Sequence, residues 1–189
     1  MSHKVHTLPP KLGECPYRDV TLGEIYIGQD RLVEAEASIQ KALECYKAAN
    51  IILGYGNAYI SLARIHIALN QPDKAIAACQ RALEFHIAVN DPWNQGHDHC
   101  ELGNSYLIQG KLDEAENSYM SALELHNMAK SPWGQGNGFY GLGRVYMERQ
   151  QMKEARGMFE RAKVFHSKSQ DKIAVQRDEE YMCKLLALE

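Results

Sequence analysis

The sequence predicts an all-α fold, a solenoid of about four stacked helix pairs with a C-terminal capping helix. Three observations lead there. An apolar frame recurs every 40 residues without a gap: Leu22, Leu62, Leu102 and Leu142 share it, each followed by a small residue (Gly23, Ala63, Gly103, Gly143). Ala35, Ala75, Ala115 and Ala155 keep the same register, as do Ala42, Ala82, Ala122 and Ala162. A period of this size marks supersecondary units that bury their apolar faces by stacking. Within a unit the apolar positions fall at helical spacing. His99, Leu102, Gly103 and Tyr106 stand at i, i+3, i+4 and i+7, and Ala115, Tyr119, Ala122 and Leu123 at i, i+4, i+7 and i+8. No stretch shows the alternation of a strand, so helices alone are expected.

In chain order, residues 1–15 hold Pro9-Pro10, Gly13 and scattered histidines with no helical period, which reads as a flexible leader. The solenoid is expected over 16–189, with units at about 16–50, 56–90, 96–130 and 136–170 and the capping helix at 171–188. Tyr59, Leu62, Ala63, His66 and Phe139, Leu142, Gly143, Tyr146 repeat the first-helix face of the third unit. The residue beside each Leu is small because a neighbouring helix must come close there. Short turns follow at Gly28-Gln29-Asp30, Asn70-Gln71-Pro72, Gln109-Gly110-Lys111 and Arg149-Gln150-Gln151. Second helices then bury Ala75, Cys79, Ala82, Leu83 and Ala155, Phe159, Ala162. Asp91-Pro92-Trp93 and Ser131-Pro132-Trp133 place a capping side chain before a proline, which opens a helix; the second unit has Ile52 where these have proline. Asp171 opens the last helix, with Ile173, Tyr181, Met182, Leu185 and Leu186 as its apolar side. The front end has no such cover, and further sequence before residue 1 is expected.

The chain has 189 residues, a net charge of −3 and 45% hydrophobic residues, with no basic block, so neither nucleic acid nor a membrane surface is an expected partner. No apolar run reaches the roughly 18 residues of a membrane helix. Cys15, Cys45, Cys79, Cys100 and Cys183 form no C-x-x-C pair and read as reduced thiols of a cytoplasmic protein.

Several constellations resemble chemistry. Gly136-Asn137-Gly138-Phe139-Tyr140-Gly141 spells the dinucleotide fingerprint, but that motif needs a strand before it, and here it lies inside a helix. His97-Asp98-His99-Cys100 suggests a metal cluster. On a helix these residues point in different directions, and no H-x-x-x-H spacing completes a site. His86, His126 and His166 recur at the ends of second helices, a packing distance of about 8–10 Å or more apart, too far to share an ion. They are expected to pack or to cap helix C-termini, where a partly protonated imidazole is favoured. Trp93 and Trp133 are expected to pack between repeats. No nucleophile–base pair stands at a motif-like spacing, so no catalytic residue, metal or cofactor is expected and the chain is read as non-enzymatic.

The order Leu102, Gly103, Tyr106, Ala115, Tyr119, Ala122 resembles the tetratricopeptide repeat over about residues 16–189. The 40-residue period resembles the longer-helix subclass of G-protein-signalling modulators and kinesin light chains. The Leu-Gly-Asn-x-Tyr and Gly-Lys-Leu-Asp-Glu-Ala-Glu phrasing is similar to arrays appended to fungal NACHT-type NTPases. The resemblance implies a right-handed superhelix whose concave face holds a partner. A second face of the first helices falls in that frame: Asn57, Ile60, Arg64, Ile67; His97, Cys100, Asn104, Leu107; and Asn137, Tyr140, Arg144, Met147. The lysines of the chaperone-tail clamp are replaced by Val20, Ile60, Cys100 and Tyr140, so that ligand is not expected. The expected function is a monomeric protein-interaction module or scaffold. It would grip an extended or helical, mixed apolar and acidic segment through Arg64 and Arg144, with Asn104 between them. The alternative is a sensor arm of a larger signalling NTPase.

Overall fold

A computed structural model of the chain describes residues 16–186, and the leader expected over 1–15, Cys15 included, lies outside the described residues. The described chain is an all-α helical repeat solenoid of helices α1 Pro16–Gly28, α2 Leu32–Ala49, α3 Ile52–Ala68, α4 Pro72–Ala88, α5 Pro92–Ile108, α6 Leu112–Met128, α7 Pro132–Glu148, α8 Met152–Lys168 and α9 Lys172–Leu186. From Pro72 to Lys168 every helix has 17 residues.

The turns repeat twice as often as the sequence does. Asp30, Asn50, Asn70, Asn90, Gly110, Lys130, Gln150 and Gln170 stand 20 residues apart, all at positive φ between 51° and 72°. Each lies just past a helix end and lets the next residue's amide reach back into the last turn, as Gln71 N does to His66 O (2.8 Å) and Lys111 N to Tyr106 O (3.0 Å). Turns within a unit and between units therefore have one geometry. The expected caps hold: Asp91 accepts from Asn94 N at 3.1 Å, Ser131 from Gly134 N at 3.2 Å and Asp171 from Ala174 N at 2.9 Å. Ile51, before α3, provides no such bond.

Size complementarity sets how closely the helices of a pair pack. Ala35, Ala75, Ala115 and Ala155 are fully buried, as are Ala42, Ala82, Ala122 and Ala162. At the position after each repeated Leu, residue size answers the facing side chain. A Cβ on Gly103 would sit 2.7 Å from the Tyr119 ring, one on Gly143 2.7 Å from Phe159 and one on Gly23 2.5 Å from Ile39. The second unit carries Ala63 in that frame, where the facing residue is the smaller Cys79.

Sequential helices pack along the whole stack, and α1–α3, α3–α5 and α5–α7 also touch each other, whereas no two even-numbered helices make a comparable contact. The odd helices therefore form the tighter, inner layer of the curve. On α9, Leu185 is buried, and Tyr181 and Met182 pack against the cluster of Ala155 and Phe159. Ile173 departs from its expected role, being 84% exposed. The buried position of this first turn is taken by its neighbour Ala174, which is 5% exposed. The side chain of Leu186 lies outside the described residues.

Candidate partner-binding groove

The inner layer opens into a cavity of about 330 Å³. Arg64 reaches it from α3, His97, Cys100, Glu101 and Asn104 from α5, Tyr119 from α6, Trp133, Asn137, Tyr140 and Gly141 from α7, and Arg177 from α9. Six of the twelve residues expected on the second face thus meet at one place: Arg64, His97, Cys100, Asn104, Asn137 and Tyr140.

The other six are placed around it. Arg144 stands beside the cavity, donating to Asn104 Oδ1 at 2.9 Å. Asn57 accepts near the buried His86, 3.3 Å from Nε2. Ile60 is only 6% exposed and belongs to the core. Leu107 and Met147 pack against the clusters around Tyr119 and Phe159, and Ile67 is half-buried outside the cavity. Cys100 and Tyr140 stand in the same frame and reach the cavity, whereas Ile60 joins the core cluster against which Val20 of α1 also packs.

Polar contacts link successive units at the sequence period. Arg64 pairs with Glu24, which also accepts from Ser61 Oγ at 2.6 Å. Arg144 bonds Asn104, and Arg177 donates to Asn137 Oδ1 at 3.3 Å. Asn104 is the hub: its amide donates to Glu101 at 3.1 Å, and its oxygen also accepts from the Tyr119 hydroxyl at 2.8 Å. Tyr119 is 1% exposed, so this bond satisfies an otherwise buried hydroxyl while fixing Asn104 from below.

Burial governs the protonation of the site. It pushes the Cys100 thiol up, with Glu101 and Asp98 adding to the shift, so the thiol stays neutral and a poor nucleophile or ligand. The Tyr119 and Tyr140 hydroxyls are raised by the same cause. His97 is held below the usual imidazole value by burial, opposed by Glu101 and reinforced by Arg64, and is neutral at pH 7. Its ring stacks on Trp93 at 6.1 Å and lies 6.0 Å from Trp133, and the two indoles stack on each other at 6.1 Å. The tryptophans do pack between repeats, and Trp133 is also a wall of the cavity.

The run His97-Asp98-His99-Cys100 is dispersed around α5. Asp98 points into the joint with α4, where its carboxylate meets His86 Nδ1 at 2.7 Å, both fully shielded from water. The same pair recurs as His166 and Asp178 at 2.6 Å. His126 stands in that frame opposite Gly138, so both its ring nitrogens are buried without a hydrogen-bond partner. These histidines lock the joints rather than cap helix ends. Burial drives His126 down to about 4, so it is neutral, contrary to the partial protonation expected from the helix dipole. Asp98 is raised by burial to about 6, with His86 opposing the shift. Among the described residues no group of three or more His, Cys, Asp or Glu is placed to hold a metal ion, and no helix is long and apolar enough to cross a membrane. Cys79, Cys100 and Cys183 are free thiols.

Sequence reasoning missed Glu101, Tyr119, Trp133, Gly141 and Arg177 as cavity residues. Tyr119 was readable only as core. The usable signal was register: Arg177 stands one 40-residue period after Asn137 and continues the inner frame into α9.

Family models described as tetratricopeptide repeat match residues 17–88 and 99–126. None of the curated proteins matches the chain significantly. Among solved structures it is similar to a Rap protein complexed with Competence and Sporulation Factor (TM-score 0.81, 15% identity), over 90% of this chain and 48% of that one. It thus spans about half the length of that protein. A Signal Transduction ATPase with Numerous Domains (STAND) protein with a tetratricopeptide repeat sensor, from Pyrococcus horikoshii, superposes with a TM-score of 0.72 at 17% identity, over 95% of this chain and 27% of that one. The nearly identical TPR-like repeats of a putative kinesin light chain from Podosopora anserina give 0.68 at 15% identity, over 91% and 86%. At such identities the likeness is one of fold. The register, the paired helices, the family matches and these superpositions agree: the chain belongs to the tetratricopeptide repeat proteins.

Proposed function

We propose that this chain is a non-enzymatic interaction module that holds a segment of another protein across the inner faces of α3, α5, α7 and α9. The observation that carries this reading is the cavity itself. Four successive odd helices contribute to it, and it combines apolar and aromatic walls (Trp133, Tyr140) with polar groups of fixed geometry (Asn104, Asn137, Arg177). Recognition surfaces have this composition, aromatic and arginine side chains at the centre with directed hydrogen bonds beside them. No residue lining it is poised as an activated nucleophile, since Cys100 and Tyr119 are both held protonated. The occupant is an extended or helical segment of mixed apolar and acidic character. A second reading, a sensor arm within a larger signalling ATPase, is supported by the likeness to the STAND sensor, in which case the occupant comes from the same polypeptide.

Panning a random peptide library on the intact chain tests the reading. Selected peptides should quench tryptophan fluorescence and lose most of their affinity for Trp133→Ala and Asn137→Ala. Peptides that bind those variants as tightly as the parent would move the interface off the inner face.

A further inference from the structure

Three joints of the stack follow one plan, and the middle one lacks its counter-charge. In each, a histidine near the end of an even-numbered helix packs against a glycine of its partner helix: His86 on Gly56, His126 on Gly96 and His166 on Gly136. A carboxylate of the following helix meets the first and the last, Asp98 and Asp178, whereas Gly138 stands in that frame opposite His126. The His126 ring is pressed onto backbone instead. A Cβ on Gly134 would lie 2.2 Å from its Nδ1 and one on Gly96 2.8 Å from its Cε1, and Trp93 meets it edge-on at 6.5 Å. From α5 the titratable group that faces it is His97, itself 3.9 Å from Glu101. From α7 it is faced by Gly134, and no acidic side chain of α5, α6 or α7 reaches either ring nitrogen. A proton added here makes a fully buried cation with two unpaired N–H groups, a state relieved only by reaching water.

The helix that covers His126 is unevenly fastened. The first half of α7 carries Gly134, Gly136, Gly138 and Gly141, each of which weakens a helix relative to alanine. Its second half is tied down: Arg144 donates to Asn104 at 2.9 Å, the Tyr146 hydroxyl to Glu116 at 2.7 Å and Arg149 to Glu116 at 2.6 Å. Between the first half and α6 there is one side-chain bond among the described residues, the exposed Gln135 Nε2 to Asn127 Oδ1 at 3.2 Å. We propose that this joint is a proton-operated latch: protonation of His126 releases residues 132–141 from α6, while the ties at Arg144, Tyr146 and Arg149 hold the rest of α7 in place. Trp133, Asn137 and Tyr140 move with the released segment, so the inner cavity loses one wall. The latch acts whether or not a partner occupies that cavity. The other two joints stay closed, because there an added proton is shared between the imidazole and a carboxylate in hydrogen-bond contact with it.

Amide hydrogen exchange of the full chain at pH 7 and pH 5, corrected for the intrinsic pH dependence of exchange, tests the latch. Residues 136–141 should lose protection at least about tenfold at pH 5, and should then exchange faster than 145–149, with overall helicity unchanged. Gly138→Asp supplies the missing carboxylate. Leu123 can receive it, since Leu83 stands in the same frame opposite Asp98. His126→Leu removes the titrating group. Each variant should hold the pH-dependent loss at 136–141 below about threefold, and the two changes lie on different helices, so one remains informative if the other fails to fold. Unchanged protection of the parent at pH 5 overturns the latch. Equal protection of 136–141 and 145–149 at pH 5 also overturns it, because α7 then opens as a whole. A tenfold loss that persists in either folded variant places the response on another group and overturns the role of His126.

Discussion

Gly141→Ala and Gly157→Ala make the same chemical change in two helices and should have opposite effects. Gly157 lies inside α8, and a Cβ there meets nothing within 4 Å. The substitution should recover the helix propensity of alanine, up to about 1 kcal/mol. Gly141 lies inside α7 against the ring of Tyr119, and a Cβ there would overlap the ring carbons. Tyr119 cannot swing away freely, because it is 1% exposed and its hydroxyl is bonded to Asn104 at 2.8 Å. Overpacking costs about 1–3 kcal/mol and a lost hydrogen bond about 1 kcal/mol, against the same propensity gain. The net is a loss of about 1–3 kcal/mol, or a fall in the apparent Tm of about 2–10 °C at this chain length. Calorimetry of both variants checks the sign. Because Asn104 also receives Arg144, Gly141→Ala should weaken peptide binding as well. The preceding joint supplies the control: there the residue in the Tyr119 frame is Cys79 and the one in the Gly141 frame is Glu101, a small side chain facing a large one. In a Tyr119→Cys background Gly141→Ala should therefore cost little. If Gly141→Ala unfolds at or above the parent's temperature, or costs the same with and without the Tyr119 ring, the argument from size complementarity is wrong.

Three further outcomes are expected. His126 has a folded pKa of about 4, below its unfolded value of about 6.5, so the unfolded chain takes up protons first and stability falls as pH drops through that window. At pH 5 the parent should have lost about 2 kcal/mol relative to His126→Leu when both are referred to pH 7. Asp98, raised to about 6, acts in the opposite direction and equally in both proteins, so urea denaturation at the two pH values isolates His126; parallel pH curves would contradict its burial as a neutral ring. Gln150 sits at φ 59°, a conformation that costs a non-glycine residue about 1–2 kcal/mol, partly offset by the unfolded-state entropy of glycine. Gln150→Gly should therefore raise stability by up to about 1 kcal/mol, and any destabilisation in the melting curve would count against the strain. Deleting residues 171–189 removes Asp178 from His166 and uncovers Phe159, so light scattering should show self-association; a truncated chain as soluble and stable as the parent would show that α9 does not shield that face.

What the sequence by itself determined here is everything that depends on local spacing. The 40-residue register, the helical faces, the Asp91, Ser131 and Asp171 caps and the small residue beside each Leu are properties of short segments, and apart from Ile173 each appears in the structure where the pattern placed it. Six of the twelve residues expected on the second face line the cavity for the same reason, since they recur in register on successive first helices. What only the tertiary structure decided depends on which frame meets which across a joint. Asp98 and Asp178 find His86 and His166, while Gly138 leaves His126 alone. Arg64 is consumed by Glu24, Ile60 falls into the core, and Arg177 joins the cavity from a helix that read as a cover. A helical period places a residue on a face. Whether that face meets solvent, core or an opposite charge is set by the curvature of the stack and by the size of the side chain opposite, and both are fixed only when neighbouring repeats close on one another.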